Sequence, residues 1–150
     1  MELFGSIDEV LDFAIDREAE ANQLYNDLAQ RTENVAMKKV FENFAKEELG
    51  HKAKLEAMKT SRTTVPPEKV TDFKVADYVV DVEPQPDMNY QDTLILAMKK
   101  EKASFHLYTD LAEEVENQVQ RETFLSLAQE EAKHKLHFEI KYDNTVLKED

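Results

Sequence analysis

Phe44-Ala45-Lys46-Glu47-Glu48-Leu49-Gly50-His51 and Leu127-Ala128-Gln129-Glu130-Glu131-Ala132-Lys133-His134 are two copies of one pattern, set 83 residues apart. Each copy contains Glu-x-x-His. On a helix, residues three apart lie on one face about a turn from each other, so the carboxylate and the imidazole of each copy can reach one cation. Two copies suggest two metal ions. The repeat extends well beyond these octads, since Ala14, Glu18, Tyr25, Asp27-Leu28-Ala29, Glu33-Asn34, Phe41, Ala45 and Lys52 also recur 83 positions on. A period this long that occurs twice marks a duplicated helix hairpin and not a solenoid array.

Composition fits that reading. The chain has 150 residues, 41% of them hydrophobic, which suits one domain with a real core. Two glycines, four prolines and many Glu, Lys, Ala and Leu residues favour long helices. A formal charge of −13 argues against binding nucleic acid or an anionic membrane and suits cation uptake. Absence of cysteine excludes disulfides, thiolate nucleophiles and Cys-ligated zinc or iron–sulfur sites. The first residues lack a basic segment followed by an apolar one, and no run of about 18 apolar residues occurs, so a cytoplasmic protein without a membrane partner is expected.

Four helices are predicted, at about 6–31, 34–59, 89–116 and 117–141, within a single domain 1–150. Ser6-Ile7-Asp8-Glu9 reads as a capping box for the first. Its inward stripe is Ile7, Leu11, Ala14, Glu18, Ala21, Tyr25 and Leu28, a 4/3 spacing that belongs to a bundle seam. The second helix repeats the rhythm with Met37, Phe41, Phe44, Glu48, His51, Leu55 and Met58. All four prolines fall between residues 60 and 88, which reads as a crossover holding at most a short element around 73–82. Antiparallel neighbours need only a few linking residues, so a connection of roughly thirty predicts that the third helix runs parallel to the second. Asn89-Tyr90-Gln91-Asp92 is a second N-cap candidate. The third stripe is Tyr90, Leu94, Ala97, Glu101, Ser104, Tyr108, Leu111 and Val115, and the fourth, on a helix opening near Asn117, is Phe124, Leu127, Glu131, His134 and Phe138. The tail after Ile140 is polar and is expected to fray.

Six ionisable residues thus fall on apolar stripes: Glu18, Glu48, His51, Glu101, Glu131 and His134. Burying an unpaired carboxylate costs several kcal/mol, more than a typical domain can absorb four times over. No Lys or Arg occupies a seam position between Ile7 and Phe138, so bound metal is the economical counter-charge. Four carboxylates balance two divalent ions, and mixed carboxylate–imidazole ligation without sulfur favours iron or manganese, with zinc as a substitute.

A Glu from each of two helices and Glu-x-x-His from each of the other two is the ligand pattern of ferritin-like di-iron carboxylate bundles. Over essentially its whole length the sequence resembles the rubrerythrin-related branch of that superfamily. The resemblance implies an all-α, ferritin-like four-helix bundle with a long crossover between its second and third helices. It further implies two iron ions, Glu18 and His51 terminal on one, Glu101 and His134 terminal on the other, and Glu48 and Glu131 bridging. Non-haem oxidoreductase chemistry on hydrogen peroxide or dioxygen is the implied activity, with a homodimer as the implied assembly. Peroxidase-type rubrerythrins carry a second glutamate three residues after the first on the third helix, where this chain has Ser104, and a four-cysteine rubredoxin domain, which it lacks. Electrons must therefore come from an external donor or from soluble ferrous iron. Bacterioferritin places a haem-binding Met directly after the second-helix ligand Glu; Leu49 stands there instead, so no haem is expected.

Blander readings stand beside these. An acidic helical scaffold with its seam polar groups paired to one another, and an iron-binding or delivery protein without turnover, remain open alternatives. Glu47 and Glu130 lie one step off their stripes and are expected to be solvated or to act behind the ligands. Tyr25 and Tyr108 read either as core tyrosines or as hydroxyls bonded to a ligand carboxylate. His106 and His137 are expected at the surface or its boundary. Gly50, inside a helix, reads as room for close packing by the crossover or for a small oxidant. Lys99, Lys100 and Lys102 belong to a solvent face.

Overall fold

Helix limits follow the caps and breakers of the sequence closely. The computed structural model describes residues 7–61, Tyr78 and residues 89–149, and within these the chain forms four α-helices: α1 (Ile7–Arg31), α2 (Val35–Ser61), α3 (Tyr90–Glu114) and α4 (Gln118–Glu149). No strand occurs among the described residues. Three helices begin at an asparagine whose Oδ1 accepts a backbone N–H three residues on: Asn34 from Met37 at 3.0 Å, Asn89 from Asp92 at 2.8 Å and Asn117 from Gln120 at 3.0 Å. Each satisfies a donor that the first helical turn leaves without an intrahelical partner. The Ser6 capping box, the element expected around 73–82 apart from Tyr78, and the course of the crossover lie outside the described residues.

Two limits differ from expectation. The last helix continues past residue 141 to Glu149. Nothing from Lys141 onward breaks a helix: there is no glycine or proline, and the closing Leu147-Lys148-Glu149 are good helix formers, so polarity alone does not end the element. The third helix stops at Glu114 because Val115 is extended, with φ −88° and ψ 142°, and serves as C-cap, its N–H donating to the Leu111 carbonyl. Val115 is nonetheless buried, as its place on the stripe predicts.

The chain divides into two compact units, Leu3–Phe73 and Lys74–Asp150 with Met1–Glu2. In the first, α1 packs on α2; in the second, α3 packs on α4. A three-residue connection after each leading helix forces antiparallel packing. The cross-helix pairs agree: Glu18 with His51, Tyr25 with Phe44 and Asn22 with Ala45 in the first hairpin, and Glu101 with His134, Tyr108 with Phe124 and Ala112 with Arg121 in the second.

The seams hold the residues that periodicity places there. Ile7, Leu11, Ala14, Tyr25, Leu28, Met37, Phe41, Leu55 and Met58 are buried in the first hairpin, and Leu94, Ala97, Tyr108, Leu111, Phe124, Leu127 and Phe138 in the second. Ala21, Phe44 and Ser104 are half-buried. Burial of each large apolar side chain contributes about 1.5–3 kcal/mol before conformational entropy is charged against it. Tyr78, the one described crossover residue, is buried and donates its hydroxyl to Asp110 Oδ2 at 2.8 Å, fastening the connection to α3.

Gly50 lies exposed inside α2, and among the described residues a Cβ there would meet nothing within 4 Å. No close approach among these residues requires glycine. Gly50→Ala should therefore raise stability by about 1 kcal/mol, the helix-propensity difference. Urea unfolding will show this as a higher midpoint at unchanged slope. A lower midpoint would mean that the position needs its missing side chain.

Candidate metal centre

Each hairpin brings together two carboxylates and an imidazole. In the first, Glu18 projects from α1 while Glu48 and His51 project from α2 a turn apart; in the second, Glu101 comes from α3 and Glu131 and His134 from α4. Glu18, Glu48 and His51 present ligand atoms that all lie within 4.8 Å of one another, and so do Glu101, Glu131 and His134. His51 Nδ1 stands 3.6 Å from Glu18 Oε2 and 3.8 Å from Glu48 Oε1, and His134 Nδ1 stands 3.5 Å from Glu101 Oε1.

Those separations are too long for good hydrogen bonds. They suit a different arrangement. Two ligands each about 2.1 Å from one cation, at angles between square and tetrahedral, lie roughly 3.0–3.4 Å apart, and the observed edges are only slightly longer. Burial points the same way: all six residues are at most 3% exposed, and Glu131 is fully enclosed. Two ionised carboxylates with a neutral imidazole carry the charge that a divalent cation cancels. Oxygen and nitrogen donors without sulfur suit iron, manganese or zinc. The residues present thus fit a metal ion in each hairpin.

The other singled-out residues fall where their spacing puts them. Glu47 is exposed and Glu130 half-exposed, outside both triads. His106 is exposed; His137 is half-buried, and partial burial together with Lys141 and His134 pushes its pKa below the ordinary histidine value. Tyr25 packs edge-on to Phe44 at 6.0 Å between ring centroids, and Tyr108 stacks on Phe124 at 6.4 Å, so both rings belong to the seams.

Two polar contacts fall outside the periodic pattern. Asn22 Nδ2 donates to the Ala45 carbonyl at 2.7 Å, tying α1 to α2 beside the first triad. Arg121 donates to the carbonyls of Val115 at 2.9 Å and Ala112 at 3.3 Å, closing the turn between α3 and α4. Neither lies on a seam stripe. Their only sequence signal is a break in the repeat, since Asn22 aligns with Phe105 and Arg121 with Lys38 at the offset that otherwise preserves the pattern.

Comparison with solved structures shows the class first. A candidate ferritin-like diiron-carboxylate protein from Thermotoga maritima matches 97% of this chain and 99% of its own at 20% identity with a TM-score of 0.85, so the chain has the ferritin-like all-α fold. A hypothetical protein from Pyrococcus furiosus matches 92% of this chain and 89% of its own at 26% identity with a TM-score of 0.73. The Rubrerythrin family model matches residues 9–142, and the chain belongs to that family. No curated protein matches it significantly. Membership implies metal binding, for which the carboxylate–histidine clusters supply the donors. No helix among the described residues is long and apolar enough to cross a membrane.

Metal should stabilise this protein through the triads. In metal-free protein, Glu131→Gln removes one of two like charges from a buried set, so its melting temperature should stay level or rise. The increase in melting temperature that ferrous iron or zinc gives the parent should fall by at least half. Scanning calorimetry with and without metal measures both. A variant that melts far below the metal-free parent yet responds to metal as the parent does would make Glu131 a structural residue.

Proposed function

We propose that the chain acts as one domain and is a non-haem di-iron oxidoreductase that reduces hydrogen peroxide or dioxygen, taking electrons from an external donor or from ferrous iron. The observation that carries this reading is the paired triad: the same Glu, Glu and His set, buried in each of two duplicated hairpins. Glu18, Glu48 and His51 would hold one ion, and Glu101, Glu131 and His134 the other. Two ferrous ions would supply the two electrons that, with two protons, convert one peroxide molecule into two waters.

The protein's own residues set the conditions for that chemistry. Charge balance falls to the four carboxylates, which offset the added positive charge of oxidised metal better than neutral ligands would. Enclosure of all six side chains keeps bulk water from competing for the ligand atoms. A carboxylate can bind through one oxygen or two, so Glu48 and Glu131 would tolerate a change in metal charge without a change of ligand. The imidazoles would bind through one nitrogen, which leaves the second ring nitrogen for a hydrogen bond that orients the ring.

Ser104 supports a second reading. It occupies the place where peroxidase-type relatives of this pattern carry another carboxylate, and it is half-buried. A protein that holds or delivers iron without turnover needs no seventh ligand. The cytoplasm as location and a homodimer as assembly complete the proposal, the homodimer on family resemblance alone.

Glu48→Ala and Glu131→Ala should each lower peroxide consumption and ferrous oxidation by at least a hundredfold, while circular dichroism shows the helices intact. Stopped-flow mixing of anaerobically iron-loaded protein with each oxidant gives the rates. Variants as fast as the parent would refute the assignment. A parent that binds iron, oxidises slowly and never regenerates would leave the delivery reading in its place.

A further inference from the structure

We propose that the two triads take up metal unequally, the Glu18, Glu48 and His51 set binding first and more tightly, because Asn22 braces the first hairpin beside its triad and the second hairpin cannot form the equivalent bond. This rests on the reading that each triad holds one ion.

The brace is a specific contact. Asn22 Nδ2 donates to the Ala45 carbonyl at 2.7 Å in a partly buried position. Asn22 sits four residues after Glu18 on α1, and Ala45 sits three before Glu48 on α2. At 1.5 Å of rise per residue, the bond crosses between the helices about 6 Å along the axis from one ligand and about 4.5 Å from the other. Both carboxylates therefore project from backbone that is fixed within about a turn of them. Asn22 also accepts from Asn26 Nδ2 at 3.4 Å, which restrains its amide.

Duplication supplies the comparison. Ala45 recurs as Ala128, so the second hairpin retains the carbonyl, but Asn22 is replaced by Phe105, whose ring has no donor to offer it. The corresponding bond cannot form. The cross-helix hydrogen bonds of Arg121 lie instead at the turn, ten residues before Glu131 and so about 15 Å away along α4. They fix the hairpin's end and do not stand in for the missing bond beside Glu101 and Glu131. A farther brace in the first hairpin, between Lys59 and Asp12, likewise has no charged counterpart, since Ile95 and Tyr142 occupy those places. That pair is exposed and adds little.

A ligand set already held near its bound geometry loses less freedom when an ion arrives, and the difference appears as affinity. One intramolecular hydrogen bond held close to the ligands corresponds to a difference of about 2- to 10-fold. The two ions thus occupy inequivalent places even though the ligand residues are the same.

Anaerobic calorimetric titration with zinc, which has no redox chemistry, tests this on the full chain. The parent should bind two ions in two resolved steps. His134→Ala should retain the tighter step and His51→Ala should lose it. Asn22→Leu, close in volume but without a donor, should weaken the tighter step about 2- to 10-fold and leave the other unchanged, which a general loss of packing would not do. Phe105→Asn, which restores a donor opposite Ala128, should strengthen the weaker step and bring the two together; it carries the test alone if Asn22→Leu does not fold. Two equal steps in the parent, an order reversed in the histidine variants, or steps that neither Asn22→Leu nor Phe105→Asn changes would overturn the proposal. A parent that binds no zinc would instead sink the metal reading beneath it.

Discussion

Four carboxylates held almost entirely out of water are the constraint on which the rest of this protein depends. Glu18, Glu48, Glu101 and Glu131 are each at most 2% exposed, on seams otherwise lined by Leu, Ala, Phe and Tyr. Apolar replacements at these positions would serve a helix hairpin at least as well, because a buried charge set is seldom a net source of stability. Retention of all four acids beside two imidazoles makes sense only if something other than folding needs them. Metal binding, which membership of the Rubrerythrin family implies, would supply both the counter-charge and the reason.

The fold is suited to delivering those groups. A helix places Glu and His a turn apart on one face, and an antiparallel partner brings a further Glu to them from across the seam. Asparagine caps set where α2, α3 and α4 begin, and hence which residues face inward. The apolar stripe supplies the stability that the polar triads do not. Duplication then yields a second triad of the same composition without any new solution to the packing problem.

Much of this was legible in the sequence because its signals are periodic. A seam at 4/3 spacing tolerates no one-residue slip, so Glu18, His51, Glu101 and His134 could be placed inside before any coordinates, and all are buried. The offset of 83 raised one weak Glu-x-x-His motif to a constellation of six residues. Three things were not legible. The continuation of α4 to Glu149 is masked by the polarity of the tail, which resembles that of a fraying end although helix propensity there is good. The early end of α3 depends on the extended conformation of Val115, a residue whose apolar character fits either side of a helix boundary. The Asn22 bond to Ala45 leaves no periodic trace, because a side chain that reaches sideways to a neighbouring carbonyl belongs to no stripe. It becomes visible in sequence only as a place where the two halves disagree.

Elemental analysis of protein purified without chelators is the most direct test of the claim that metal is what makes the buried acids tolerable. About two transition-metal ions per chain, lost together when Glu48 and Glu131 are both replaced, is the result this account predicts. Protein that is fully folded, carries no stoichiometric metal and takes up none of iron, manganese or zinc when they are supplied would contradict it.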